Sequence, residues 1–548
     1  MKSTRKYFVW FLVYFVSIVG AWICIDPGHE FGDDFILYVD QAERFWDPTA
    51  YQWLERENRF CMDHSDQLIG PYLYPRGFPF FLSIFIGVKA HFGWQSIKLI
   101  NFLFFLSASG LFLHRIGKKF SIKPLSLLLL GIVIVWNPKI WEAADRLQSD
   151  LFFAALVMLF WWVWWQDGGN TFIRWILLGG LVFWATLTKT NGVLLLVPIL
   201  WSLLLSIRGI SRLNLKYRYT WLRGIFQDKE AAGNYAVGWG KWGIGLTISA
   251  GLLALWLERG TGANHWKELV EGGITHSWIS NFLQYWGMLS ALPVWHLVNG
   301  LKLVNSIVGL PELWVWIPFA LVTIFWGIAL FRGGGNGDKL TIALFIFANL
   351  ILLTVWPSQQ GVRMLFPLYP LWVLLVFLIG RTIQTPRWFA RNRFMDNRLM
   401  SLVLVVFVFV QGTVTALHYK KLDTNRAFST NMLELSDCVE KKLEKDAVFS
   451  FFKPRLLRYL TGKRVIRVQN TVDYTSETLK LHLPVNLKVL RESGVDYFII
   501  PKSVRLNDAS VSFSMDDAPK SMDLMALAQM PVVFQNQQFR IIDLRVQR

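Results

Sequence analysis

Long apolar runs recur along this chain, and no other feature restricts its fold as much. Segments of roughly 16 to 20 residues begin near positions 8, 98, 122, 150, 172, 191, 242, 312, 339, 364 and 400, each close to the length a helix needs to cross a bilayer. A soluble domain has nowhere to bury so many. The pattern predicts a mainly α, polytopic helical membrane protein with about eleven transmembrane helices. The first run follows Lys2, Arg5 and Lys6 and is succeeded by acidic residues without a small-residue cleavage site, so it reads as an uncleaved anchor.

Charge orients these runs. The 548 residues carry 56 Lys and Arg against 38 Asp and Glu, a net +18, and such a surplus is also the footprint of nucleic-acid binding. Its location decides between the two. The N-terminal tail, the loops Arg115 to Lys123, Arg208 to Lys241, Arg332 to Lys339 and Arg381 to Arg398, and the turn with Asp167 and Arg174 together hold 22 basic and 5 acidic residues. Short cytoplasmic loops of membrane proteins carry that excess, so the charge records orientation and argues for no nucleic-acid partner. In this orientation residues 77–93 form an interfacial helix on the outer side, and residues 281–310, interrupted by Pro293, His296, Asn299 and Lys302, cross either zero or two times. The first outer loop with its edge, residues 26–98, is acidic, with 11 acidic residues against 6 basic.

The composition changes near residue 418. The runs VFSFF, RVIRV, DYFII and FRIID alternate with helical stretches such as Asn431 to Glu444, which predicts a small extracytoplasmic α/β domain over 418–548. The remainder, 1–417, is the membrane domain, with residues 26–97 as its first extracytoplasmic loop. Cys24, Cys61 and Cys438 provide no disulfide framework and no metal-ligand spacing. A Cys61 to Cys438 bridge would require an oxidising compartment around both, and three unlinked thiols are the simpler reading. No internal repeat or pair of matching broken helices points to a transporter.

Candidate chemistry gathers at the outer ends of the runs. In HEFGDDFILYVDQAERFW, residues 29–46, Asp34, Tyr38 and Ala42 are spaced four apart and share one helix face, while Asp40 points away. Exposed carboxylates are usually only solvated, but one fixed at the start of such a helix can act as a general base toward a hydroxyl; Asp33 is the adjacent alternative. LYPRGFPFF, residues 73–81, is a rigid turn into an apolar segment, and its Arg76 at headgroup depth suits a phosphate. WNPKIWEAADRLQSDLFF, residues 136–153, crowds Glu142, Asp145, Arg146 and Asp150 at one boundary. There Asp150 opens a helix, where a carboxylate caps and complements the dipole, or it serves a substrate or metal. Lys189 in ATLTKTNG and Arg363 in WPSQQGVRMLFPLYP fall on the outer side, where cations are sparse. Each either snorkels to headgroups or joins Arg76 in an anion site.

These segments resemble the GT-C superfamily of integral-membrane glycosyltransferases, in its protein-mannosyltransferase-like and lipid A aminoarabinose transferase-like branch. The resemblance rests on GDDFILYVDQA (32–42), YPRGFPFFLS (74–83), QSD (148–150), LTKTNG (187–192), RMLFPLYPLWVLL (363–375) and FFKPRLLRYLTGKRVI (451–466). It implies an inverting glycosyltransferase of the GT-C fold that moves a sugar from a polyprenyl-phosphate donor to an acceptor hydroxyl on a glycolipid, cell-surface glycan or protein. By the motif, Asp34 matches the catalytic position, Arg76, Lys189 and Arg363 would hold the leaving phosphate, and Asp145, Asp150 and Glu142 match a second acidic site. That site binds a divalent cation in some members and only orients substrate in others. Position 76 departs from the family, with Arg where a second Pro is usual. The resemblance also implies a multi-pass protein of the bacterial inner membrane, in contact with its lipids, with the active site on the periplasmic or extracellular side. The competing reading is a transporter or flippase of a lipid-linked glycan, which would place ionisable residues near the bilayer midplane.

Overall fold

The computed structural model describes residues 14–65 except 16, 24, 27 and 30–32, and then 72–166, 171–206, 234–258, 278–292, 337–355, 362–380, 427–467, 471–472, 481–482, 487–501, 503–506, 509–512 and 529–545. The chain is mostly helical and divides into two units. One comprises Met1–Ile25, Pro75–Phe78 and Lys98–Lys421; the other comprises Asp26–Tyr74, Pro79–Ile97 and Leu422–Arg548.

Among the described residues, the first unit holds helices and no strand. Among its elements are Pro124–Val135, Pro138–Asp145, Ser149–Trp164, Thr171–Thr188, Leu196–Ser206, Asn234–Glu258, Trp278–Ala291, Gly337–Val355 and Tyr369–Gly380. Ser149–Trp164 is buried along nearly its whole length, as expected of a helix apolar on every face. Its Trp161 meets Trp165 at 4.9 Å and Phe345 at 6.0 Å between ring centroids. Pro124 and Pro138 each stand at the first turn of their helices, where the missing N–H costs no hydrogen bond.

The runs predicted from positions 98, 122, 150, 172, 191, 242, 339 and 364 all lie on helices. The run from 8 is described from residue 14 on, apart from 16, and is helical over 17–23; those from 312 and 400 lie outside the described residues, as do 293–310 of the ambiguous segment. Among the described residues one helix, Gly77–Lys119, is long and apolar enough to cross a membrane, or two if Pro124–Val135 and Pro138–Asp145, bent by 48°, form one broken span. Gly77–Lys119 is itself interrupted at Gly93, where φ is 75° and ψ −175°, a conformation essentially reserved for glycine. The break separates residues 77–92 from the run that follows.

The second unit joins the first loop to the C-terminal segment. Its loop helices are Asp33–Glu43 and Pro48–Asp63. Asp47 caps the latter, accepting from the Thr49 and Ala50 amides at 2.9 and 3.1 Å, ahead of Pro48. The C-terminal part holds a five-stranded sheet in the order Arg464–Ile466, Val448–Ser450, Tyr497–Pro501, Phe539–Asp543, Val532–Gln535. The first three strands are parallel, and the last two run antiparallel to their neighbours. The four β-type runs noted in the sequence all enter this one sheet. Helix Pro454–Thr461 makes the crossover between its first two strands in chain order, as parallel pairing demands. Phe498, Ile500 and Ile542 of the sheet form a core with Leu487, Leu490 and Val495, against which Phe60 of the first loop packs. Cys61 and Cys438 are buried, with no disulfide between them.

Candidate functional site

Asp34 stands in the first turn of helix Asp33–Glu43, where a carboxylate complements the helix dipole. The Tyr74 hydroxyl donates to Asp34 Oδ1 at 2.6 Å, and the Tyr74 ring stacks on Tyr38 with centroids 4.3 Å apart. Tyr38 is one turn beyond Asp34, so both side chains meet Tyr74 from the same helix face. Gln41, on that face again, clamps the Tyr74 backbone. Its Oε1 accepts from the Tyr74 amide and its Nε2 donates to the Tyr74 carbonyl, both at 2.9 Å, and Nε2 also reaches the Tyr51 hydroxyl at 3.0 Å. Burial first, and then the Asp34 charge, push the Tyr74 phenol well above its ordinary range. It therefore remains a proton donor to Asp34 at any physiological pH. The side chain of Asp33 lies outside the described residues.

The three predicted cations belong to the helical unit. Arg76 is the exposed N-cap residue of helix Gly77–Lys119. The next residue, Gly77, is pressed against the end of helix Thr171–Thr188: a Cβ there would lie 2.6 Å from Thr188 Oγ1 and 2.7 Å from the Thr188 amide nitrogen. The Trp184 indole donates to the Gly77 carbonyl at 3.0 Å. Glycine is thus required by close approach, and the turn at residues 76–77 is seated beside the turn holding Lys189. The Lys189 ammonium contacts Asp150 Oδ1 at 2.5 Å and the Met364 sulfur at 3.4 Å. Arg363, the neighbour of Met364, lies half-buried in the short 3-10 helix Val362–Leu365. Contacts among residues 76–77, 188–189, 150 and 363–364 therefore bring together segments that the sequence could only nominate separately.

Each carboxylate of the 136–153 segment is paired with a cation. Asp150, in the first turn of Ser149–Trp164, is not the cap: Gln148 occupies that position, with no side-chain cap bond, and the Asp150 carboxylate turns to Lys189. Asp145 Oδ1 accepts from Lys98, a lysine only 1% exposed, at 2.9 Å. Glu142 pairs with Lys139 and, at 3.2 Å, with Arg146. A divalent cation fits this set poorly, because each carboxylate already faces a cation. Among the described residues no three His, Cys, Asp or Glu side chains gather closely enough to hold an ion.

Two participants are not legible in the sequence. Tyr74 stands out there only as part of a rigid turn, and nothing in a linear pattern pairs its hydroxyl with a carboxylate 40 residues earlier. Lys98 reads as the edge of a span, although a lysine opening an apolar run is itself a signal that a carboxylate waits nearby.

No family model matches the sequence, and no curated protein matches it. Solved structures do. The apo state of ArnT from Cupriavidus metallidurans is similar at 13% identity over 98% of each chain, with a TM-score of 0.51. The same protein bound to undecaprenyl phosphate aligns at 12% identity over 97% of each chain, with a TM-score of 0.49. The oligosaccharyltransferase AglB from Archaeoglobus fulgidus aligns at 8% identity over 90% of this chain and 70% of its own, with a TM-score of 0.46. At such identities the likeness is one of fold, and it spans this chain almost from end to end. This chain thus shares its fold with ArnT from Cupriavidus metallidurans over nearly its whole length.

Proposed function

We propose that this protein is an inverting glycosyltransferase that moves a sugar from a polyprenyl-phosphate carrier to an acceptor hydroxyl at the outer face of the membrane. The observation that carries the reading is the Tyr74 to Asp34 hydrogen bond, which fixes a carboxylate at a helix start with a phenol that stays protonated. In this reading the acceptor oxygen attacks the anomeric carbon and its proton passes to Asp34. The bond from that carbon to the phosphate oxygen breaks, and the carrier phosphate leaves with the electron pair.

Arg76, Lys189 and Arg363 supply the charge that a departing phosphate needs, and positioned cations lower a barrier most where negative charge develops. The packing of Gly77 on Thr188 and of Lys189 on Met364 supports their joint action. In this scheme Asp145 and Asp150 hold Lys98 and Lys189 of neighbouring segments, Glu142 holds Lys139 and Arg146 of its own, and no metal is invoked. The first loop and the C-terminal segment 418–548 form the extracytoplasmic part, and the protein is a multi-pass one of the bacterial inner membrane. Acceptors compatible with it are glycolipids, cell-surface glycans and protein hydroxyls.

Transfer is measured in membranes supplied with radiolabelled polyprenyl-phosphate sugars extracted from the source cells. Asp34→Asn is expected to lower it at least about 100-fold, the usual scale for loss of a general base, with expression unchanged. Full transfer by both Asp33→Asn and Asp34→Asn would sink the assignment.

A further inference from the structure

Arg458 lies on helix Pro454–Thr461 and is 2% exposed. Its guanidinium donates to Asp40 Oδ2 at 3.2 Å and to Asn58 Oδ1 at 2.5 Å. Asp40, 1% exposed, also accepts from Arg44 at 2.7 Å. One buried cation from the C-terminal segment thus grips both helices of the first loop. Asp40 lies on Asp33–Glu43 and Asn58 on Pro48–Asp63, all within one unit. Arg455, one turn earlier and 1% exposed, places its guanidinium 6.0 Å from the Tyr74 ring centre. Tyr459, the next residue, donates to Glu43 at 2.9 Å.

The angular arrangement matters. At about 100° per residue, Asp40 lies about 120° around the helix from Asp34, whereas Gln41 lies within about 20° of it. The helix is therefore held on the Asp34 side by the Gln41 to Tyr74 clamp and on another side by Arg458. A helix gripped along one line can roll about that line, while grips at two azimuths fix its rotation. Removing one partner of a buried ion pair leaves an uncompensated buried charge, so the Arg458 grip on Asp40 is costly to lose.

We infer that Arg458 is a positioning residue: by holding Asp40 and Asn58 it sets the rotation of the helix that presents Asp34. The inference rests on the reading of Asp34 as the base. It makes the C-terminal segment a structural determinant of the rate of transfer rather than an appendage.

The test uses the full chain in detergent, with the labelled polyprenyl-phosphate sugar extract as donor and amide hydrogen exchange as a second readout. Arg458→Gln is expected to lower kcat at least 30-fold with the donor KM within twofold, and to speed exchange of amides in 33–43 about tenfold while those of 149–164 keep their rates. Arg458→Lys, which keeps the charge, is expected to recover at least a third of the lost activity on a logarithmic scale. In an Asp34→Asn background, Arg458→Gln is expected to cost nothing more. Wild-type kcat in Arg458→Gln, with Asp34→Asn inactive, would overturn the positioning role and leave the base in place. Faster exchange throughout the chain with no rescue by Lys would reduce Arg458 to a general stability role and overturn the proposal equally. Wild-type transfer by Asp34→Asn would instead remove the underlying reading.

Discussion

Tyr74 and Asp34, 40 residues apart, share a 2.6 Å hydrogen bond from phenol to carboxylate. The backbone of Tyr74 is held by Gln41 from the same helix that carries Asp34, so donor and acceptor are oriented by one element. Tyr74→Phe keeps the ring stacked on Tyr38 and removes only the hydroxyl. A hydrogen bond to a charged group is worth about 1.5 to 3 kcal/mol, so kcat should fall about 10- to 100-fold. Steady-state kinetics with the labelled donor extract would check this, and an unchanged kcat would show that the hydroxyl does not orient the base.

Lys189 and Arg363 flank Met364 but differ in their counter-charges. Arg363→Ala should raise the donor KM about tenfold, the factor for roughly 1.4 kcal/mol of lost binding, while the acceptor KM stays put. Lys189→Met should do the same and also destabilise the protein, because Asp150, 3% exposed, loses its ammonium partner. The double variant Lys189→Met, Asp150→Leu should regain stability without regaining donor affinity. Equal effects on donor and acceptor would count against a phosphate role for either cation.

Gly77 has no room for a methyl group against Thr188. Gly77→Ala should cost about 1 to 3 kcal/mol through overpacking and lower the midpoint of thermal unfolding in detergent. Gly87, on the same helix, is the control, because a methyl group added there would meet nothing within 4 Å. Gly87→Ala should leave the midpoint unchanged or raise it slightly. Equal midpoints for the two variants would contradict the close approach of the two turns.

Asp543, in the last strand of the sheet, is held below the ordinary carboxylate range, chiefly by the Arg545 side chain at 2.8 and 3.0 Å. A depressed carboxylate contributes stability that is present above its unfolded value, about 3.9, and is lost as pH falls through its folded value. Arg545 is about a third exposed, so the contribution is about 1 kcal/mol at most. Amide exchange in Phe539–Asp543 should be up to about fivefold faster in Asp543→Asn than in wild type at pH 7. After correction for intrinsic rates, the two should converge once the pH falls below the folded value of Asp543, where its carboxyl is protonated in both states. A difference that persists there would assign the effect to packing rather than charge.

What the sequence determined by itself is local. The lengths of the apolar runs placed eight helices, because hydropathy and a 1.5 Å rise per residue decide where a helix can be buried. The spacing of Asp34, Tyr38 and Asp40 foretold that the first two share a face and the third points elsewhere, since helix geometry alone sets those angles. The runs around 448–452, 464–468, 496–500 and 539–543 announced a sheet. Partners across long separations were decided only by tertiary structure. Asp40 reads along the chain as one more solvated carboxylate, yet it is 1% exposed and paired with an arginine 418 residues away. Asp150 reads equally as a helix cap or as a group for substrate or metal, and its carboxylate goes to Lys189. In each case burial penalises an unpaired charge far more than it does one with a partner. Which opposite charge lies within reach is fixed by how the helices pack, and no spacing along the chain records that.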